Sequence, residues 1–233
     1  MAGRPPHDPA PAAPALEGLP AGPARRRPRR DAELNRERIL DAAVSLMLRE
    51  GRHVPLADIA AEAGVGVGTL YRSYTDREAL LHALEYRAYG LLNHILDEIE
   101  RRDIPGLDAI REYLERSLDV GDQLILPLHG APPLVSAQAV HARREINRRL
   151  ESFIERGQAD GSIRAPVNAT DVIVFSALTT QPLPHGPSWP LIAGRQLAIF
   201  VNGLAGSGPA GLPGPAVTRH DIEAAFALRT AGN

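Results

Sequence analysis

The sequence predicts an all-α fold, and three observations support this. After residue 30, large apolar residues recur at three- and four-residue intervals, which is the spacing of one helix face. Residues typical of helix starts and ends lie at the limits of these stripes. The one run that could also form a strand, residues 172–175, has no candidate partner strand elsewhere in the chain. We therefore expect helix there too.

The composition excludes several kinds of site. All 26 basic residues of the 233 are Arg, and the chain has no Cys. A disulfide scaffold, a thiolate zinc site and a Cys nucleophile are therefore excluded. The bias towards Ala, Arg, Gly and Pro is typical of a G+C-rich coding sequence, so Arg in place of Lys carries no weight. No segment has the roughly 20 apolar residues of a membrane span, and we expect a cytoplasmic protein.

The first 30 residues form a distinct segment, the N-terminal arm (residues 1–30). Of these residues, 24 are Ala, Pro, Gly or Arg, and eight are Pro. Such a composition cannot build an apolar core, so the arm is predicted to be disordered. It ends in an arginine cluster (residues 25–30), which contributes to a net charge of +4 for the arm. Residues 31–84 and 85–233 each carry a net charge of −3. The near-neutral total of −2 therefore conceals one basic segment and two acidic ones.

The next segment, residues 31–84, is predicted to hold short helices followed by a long one. A helical stripe ends at Gly51, and further helices are expected at 56–63 and 67–74. Thr75, with Glu78 three residues later, fits a capping box that opens a long helix to residue 101.

The remainder of the chain, residues 85–233, is also expected to be helical. Asn168 or Thr170 is a candidate cap for one of its helices. The helices beyond residue 101 are predicted at 105–120, 134–157, 171–181, 191–204 and 221–228.

The most informative segment is residues 55–74, a short helix, a Gly-containing turn and a second short helix. This is the layout of a helix-turn-helix motif. We expect Ala60 and Gly64 to leave room where the two helices cross. The residues expected to pack the helices together are Ile59, Ala60, Ala63, Val65 and Leu70. Those expected to face outward are Val67, Thr69, Tyr71, Arg72 and Ser73, a small and hydroxyl-rich set that suits a helix in the major groove of DNA.

Residues 35–83 resemble the DNA-binding domain of TetR-family transcriptional repressors. The resemblance covers about 50 residues, and many of the family's typical residues occur there at the family's spacing. The matching runs are 38–43 (RILDAA), Gly51, 59–65 (IAAEAGV), 68–71 (GTLY) and 77–81 (REALL). Outside this region the chain matches the family only in size, in its helical pattern and in a weaker phrase at 157–164.

The resemblance implies a DNA-binding role for residues in and around the second short helix. Gly66 stands where the family usually has Ser as N-cap, and Val67 stands where Lys is common. Thr69 and Tyr71 would contact phosphate or base, and Arg72 a base edge or phosphate. Ser73 and Arg77 would hold the DNA backbone. Independently of this resemblance, the arginine cluster just before the first helix, with Arg29 and Arg30 at its end, could reach the adjacent minor groove or phosphates as homeodomain arms do. The alternative is a solvated tail whose arginines reflect the coding bias.

The resemblance also implies that residues 85–233 bind a small-molecule effector and form a homodimer. The apolar helices 171–181 and 191–204 are the candidates for the dimer interface, and two recognition helices would read a near-palindromic DNA operator. Candidate effector-binding residues are Tyr86, Tyr89, Tyr113 and His129. We therefore predict a repressor that a small-molecule effector releases from its operator. We predict no catalytic residue, metal or cofactor.

Three alternatives remain open at this stage. The chain could be a DNA-binding regulator without an effector, an architectural DNA binder without a preferred site, or a helical enzyme. The glycines at positions 64, 66 and 68 lie between helices rather than after a strand, so they do not form a dinucleotide-binding loop. The sequence also lacks a nucleophile elbow.

Overall fold

The computed structural model describes residues 27–51, 53–124, 137–181, 188–205, 212, 214–221 and 224. These residues form eight α-helices and one short 3₁₀ helix, Gly121–Gln123. The only β-structure among them is an isolated bridge between Ile163 and Ala205. The all-α prediction is thus confirmed, including helix at residues 172–175. The helices are α1 (Arg27–Glu50), α2 (Leu56–Glu62), α3 (Val67–Ser73), α4 (Arg77–Glu100), α5 (Gly106–Asp119), α6 (Ala137–Ala159), α7 (Ala169–Thr179) and α8 (Trp189–Leu204).

The start of α1 corrects the predicted limit of the N-terminal arm. The helix begins at Arg27, so the last four residues of the segment predicted to be disordered are helical. Pro28 does not prevent this, because proline is tolerated in the first helical turn, where its missing N–H would have no partner in any case. Residues 1–26 lie outside the described residues, as does most of the predicted helix at 221–228.

The cap of α4 is a second correction. Asp76 is the N-cap rather than Thr75, and its Oδ1 accepts from the Ala79 amide at 2.8 Å. That hydrogen bond lowers the pKa of the Asp76 carboxyl. The predicted capping box of Thr75 and Glu78 is wrong because the helix starts one residue later. The cap of α7 was predicted correctly as one of two candidates: Asn168 forms a complete capping box with Asp171.

Two separate groups of buried apolar residues hold the helices together. The N-terminal core runs from Ile39 to Leu84 and joins α1, α2, α3 and the start of α4. The C-terminal core runs from Ala88 to Leu204 and joins the rest of α4 with α5 to α8. The predicted domain boundary at residue 84 therefore falls within a continuous helix, and α4 contributes to both cores.

Helices α5 and α6 approach each other closely in the C-terminal core. A Cβ atom at Gly106 would lie 2.2 Å from the Phe153 carbonyl oxygen and 2.5 Å from the Gly157 amide nitrogen. The backbones of the two helices touch there, so no larger residue fits. Within the described ranges, no helix combines the length and the apolar character that a membrane crossing requires.

Candidate nucleic-acid interface

The turn between α2 and α3 gives the motif its shape. Gly64 has a φ of +65°, in the left-handed region that favours glycine. The Val65 amide donates to the Ala60 carbonyl at 3.0 Å, which closes the end of α2. A Cβ at Gly64 would meet no atom within 4 Å. Gly64 is therefore needed for its backbone conformation, which corrects the expectation that it leaves room at the crossing.

The inner face of the motif is packed as predicted. Ile59, Ala60 and Leu70 are fully buried, and Ala63 and Val65 pack against the N-terminal core. Since Leu70 is the only buried residue of the seven-residue α3, it fixes which face of that helix points inward.

The opposite face of α3 is exposed to solvent. Val67 is 43% and Tyr71 50% exposed, and Arg72 is exposed as well. The Arg72 Nη2 donates to Thr69 Oγ1 at 2.9 Å, and the Ser73 hydroxyl donates to the Thr69 carbonyl at 3.1 Å. These bonds pre-position the side chains, and the Arg72 guanidinium has further N–H donors that the bond to Thr69 does not use. The structure thus brings the predicted contact residues of α3 together on one surface.

Two further candidates have other surroundings. Gly66 is the N-cap of α3, with no side-chain cap, and a Cβ there would meet no atom within 4 Å. Arg77 is half-buried, and its Nη1 donates to the Val54 carbonyl at 2.6 Å. Arg77 therefore ties the start of α4 to the segment before α2, a role that the sequence did not indicate.

The arginine cluster is only partly within the described residues. Arg29 and Arg30 lie in the first turn of α1, and the Arg30 side chain is exposed. The side chain of Arg29 lies outside the described part of the chain, as do Arg25 and Arg26. Their contact with DNA stays a prediction.

The candidate effector residues have different environments. Tyr86 is exposed, and its hydroxyl accepts from Gln138 Nε2 at 2.6 Å. Tyr113 is 2% exposed in the C-terminal core, where burial raises its pKa to about 12. Tyr89 is buried as well, and His129 lies outside the described residues. Their role in ligand binding stays a prediction.

Around Tyr89, the structure reveals a buried charged group that the sequence reading missed. The Tyr89 hydroxyl donates to Glu85 Oε1 at 2.7 Å, and Glu85 is completely buried. Arg143 Nη1, from α6, lies 3.6 Å from the same oxygen, and its guanidinium lies over the Tyr89 ring, 5.9 Å from the centroid. Burial and the Glu85 charge raise the pKa of Tyr89. The available signal was Glu85 itself, a carboxylate within the apolar stripe of α4.

A second exposed surface lies on α7 and α8, and its chemistry is apolar. We call it the α7–α8 patch, made of Leu178, Leu191, Ile192 and Ile199. All four are exposed, Leu191 by 77%. The rings of Phe175 on α7 and Phe200 on α8 stack with their centroids 3.9 Å apart and 3° between their planes, which joins the two helices.

Comparison with known proteins places the motif in a family. The model for bacterial regulatory proteins of the tetR family matches residues 39–84, the same residues that span the N-terminal core. The transcriptional repressor LfrR of Mycolicibacterium smegmatis is 36% identical over 104 residues, which are 45% of this chain and 54% of LfrR. Residues 39–84 of this chain are therefore a tetR-family domain. The aligned part spans only about half the length of that TetR-family relative.

Solved TetR-family structures share the fold beyond the motif. The regulator SCO0520 of Streptomyces coelicolor is 29% identical, with a TM-score of 0.50, and the match covers 74% of this chain and 99% of that one. A gamma-butyrolactone receptor, described as ArpA-like, is 20% identical, with a TM-score of 0.58 and coverage of 87% and 98%. The 20% identity to the gamma-butyrolactone receptor is evidence of a shared fold only. LfrR and SCO0520 are named as a repressor and a regulator, which favours a regulator over the helical enzyme.

Proposed function

We propose that this protein is a homodimeric, sequence-specific DNA-binding transcriptional regulator, and that it acts as a repressor. The observation that carries the proposal is the outer surface of α3, where the exposed Tyr71 and Arg72 lie beside the half-buried Thr69 and Ser73. A single buried anchor, Leu70, fixes the inner face of the helix. Hydroxyl and guanidinium groups on a short helix suit both the phosphates and the base edges of a major groove. The repressor LfrR, which shares this region, supports the direction of regulation.

The α7–α8 patch supports the homodimer. Four large aliphatic side chains exposed on two adjacent helices form a surface that gains free energy when water is removed from it. A second copy offers the same surface, so a two-fold axis would pair α7 and α8 with their counterparts in a four-helix arrangement. Such a dimer carries two copies of α3, and these fit a near-palindromic operator.

Selection of bound sequences from random DNA duplexes tests the proposal. The full chain is expected to enrich a near-palindromic site whose two halves are read alike. A variant with Tyr71→Ala and Arg72→Ala serves as the control, because both side chains are exposed and their loss leaves the N-terminal core intact. Equal enrichment by the double variant would contradict the assignment of α3. Absence of any enriched site for the unaltered chain would overturn the proposed function.

We further infer that a small-molecule effector releases the protein from its operator. Helix α4 supports this, because it contributes to both cores and starts directly after α3. A ligand that moved α4 within the C-terminal core would also move the N-terminal core, and with it the separation of the two recognition helices. The gamma-butyrolactone receptor is a relative in fold whose name describes a small-molecule receptor.

A screen by thermal shift gives the test of release. Compounds that raise the unfolding temperature of the free protein would be added to the protein–operator complex. We expect a true effector to weaken operator binding by about 5- to 150-fold, the usual range of such coupling. A compound that binds with equal affinity to free and operator-bound protein would contradict release.

A further inference from the structure

A layer of charged and polar side chains separates the two apolar cores. On α4 the N-terminal core ends at Leu84 and the C-terminal core begins at Ala88. The single turn between them carries Glu85 and Arg87, both of which contact other helices. Apolar contacts have no preferred direction, whereas a buried charge is stable only where an opposite charge lies close to it. The orientation of one core relative to the other therefore depends strongly on this turn.

Arg87 contacts elements on both sides of the layer. Its Nη1 lies 2.7 Å from Asp41 Oδ1 and 3.8 Å from Glu37 Oε2, both on α1. Its Nη2 donates to Gln123 Oε1 at 3.5 Å, in the 3₁₀ helix that follows α5. One guanidinium therefore touches the helix that supports the DNA-binding motif and an element next to the C-terminal core.

The burial of Arg87 makes these contacts specific. The Nη1 atom is inaccessible to solvent and makes no hydrogen bond, so its contact with Asp41 is an ion pair only. The side chain as a whole is 24% exposed. An inaccessible cationic nitrogen depends on nearby carboxylates, because water cannot take their place. The planar guanidinium can meet α1 and the 3₁₀ helix at once, which the point charge of a lysine cannot do.

We propose that Arg87 is a positioning residue that sets the orientation of the DNA-binding motif relative to the C-terminal core. In a dimer joined through the α7–α8 patch, that orientation fixes the distance and angle between the two copies of α3. Arg87 thereby determines which spacing between operator half-sites the dimer accepts. This inference rests on the proposed function, since it requires a dimer that reads two half-sites.

The experiment measures how strictly the dimer selects the half-site spacing. Duplexes carry the two half-sites recovered by selection, and the spacer between them varies one base pair at a time. The unaltered chain is expected to show a sharp optimum. The measured quantity is the ratio of the affinity for the best spacer to the affinity for spacers one base pair longer or shorter. In Arg87→Gln we expect this ratio to fall by about fivefold, a factor consistent with losing one partly buried ion pair. Arg87→Lys is expected to recover only part of this ratio.

A second variant tests whether the contact with α1 is responsible. Asp41→Asn removes the nearest carboxylate, and Asp41 is itself well exposed. It should broaden the spacing profile in the same direction as Arg87→Gln. In the double variant the two effects should not add, because both changes remove the same contact.

The control is Arg148→Gln, which removes an exposed arginine paired with Glu145 on its own helix at 3.0 Å. It should keep the profile of the unaltered chain. If Arg87→Gln weakens binding to all spacers by one factor, or leaves the profile unchanged, Arg87 has no positioning role and the inference fails alone. If the unaltered chain selects no half-sites, the proposed function fails first and the inference fails with it.

Discussion

Helix α3 and the α7–α8 patch both leave a helix face uncovered, but the chemistry of the two faces is opposite. The face of α3 presents hydroxyl, phenol and guanidinium groups around Tyr71 and Arg72. The patch presents aliphatic side chains, of which Leu191 is the most exposed. Each helix is fixed by buried residues on its other side, Leu70 in α3 and Leu197 among others in α8.

This difference shows what kind of partner each surface suits. A polar face is hydrated at little cost, and it binds well only where its donors meet matching acceptors, such as phosphates and base edges. An aliphatic face gains about 25 cal/mol for each Å² removed from water, whatever the detailed geometry of its partner. The first surface therefore suits sequence reading, and the second suits permanent association with a copy of itself.

The largest expected effect comes from placing a charge in the α7–α8 patch. Ile199→Glu should convert the dimer to monomers, because a carboxylate cannot be buried between aliphatic side chains without a partner. Operator affinity should then fall by about 100-fold or more, since the second half-site no longer adds to the first. Sedimentation velocity and fluorescence anisotropy measure the two effects.

The matched control places the same charge elsewhere. Leu34→Glu changes another exposed leucine, on α1, far along the chain from the patch. It should sediment as the unaltered dimer does. An Ile199→Glu protein that remains dimeric would show that the α7–α8 patch is not the dimer interface.

A smaller loss is expected on α3. Arg72→Ala should weaken operator binding by about 10- to 100-fold, the usual contribution of one arginine that reads a base edge. If Arg72 reads a base, the preference at one base pair should also relax; if it contacts a phosphate, all sequences should weaken alike. Arg111→Ala is the control, because Arg111 pairs with Asp108 on its own helix at 2.7 Å. Equal losses in the two variants would count against the face of α3.

The arginine cluster should affect the salt dependence of binding more than its sequence preference. Deleting residues 2–26 should reduce the slope of log affinity against log salt by up to about two, because each phosphate contact contributes about 0.9. Deleting residues 2–24 instead keeps Arg25 and Arg26 and should retain the full slope. Identical slopes for the two truncations would show that these two arginines do not touch DNA.

The smallest effects concern the turn that sets the angle of α3. Gly64→Ala should lower the free energy of unfolding by about 1 kcal/mol, because alanine is strained at a positive φ. Gly66→Ser should instead be neutral or raise it by a few tenths of a kcal/mol, since a serine hydroxyl can cap α3 in the open space there. Chemical denaturation compares the pair, and equal effects would contradict these distinct roles.

The motif was predictable from the sequence because its information is local. Ile59, Ala60 and Leu70 are buried and Tyr71 is exposed, as the spacing of small and large residues indicates. The predicted limits of α2 and α3 are wrong by no more than one residue at either end. Two short helices packed within 20 residues leave little freedom for other contacts to intervene.

The features that the sequence did not reveal depend on contacts between distant elements. Nothing in the local spacing pairs Arg87 with Asp41, or Glu85 with Arg143, because each pair joins different helices. Similarly, Tyr113 lies on a helix face that periodicity identifies, but periodicity does not tell whether that face lines a pocket or a packed core. The cap at Asp76 was missed for a different reason, since neighbouring Thr and Asp are both good caps.

The continuity of α4 has a mechanical consequence. A helix of 24 residues is about 36 Å long. If it pivots as a rigid rod about its end at Glu100, a rotation of only about 5° displaces its other end by about 3 Å. That is close to the rise of one base pair along DNA, about 3.4 Å. A rotation of only a few degrees is thus large enough to put the two recognition helices one base-pair step out of register.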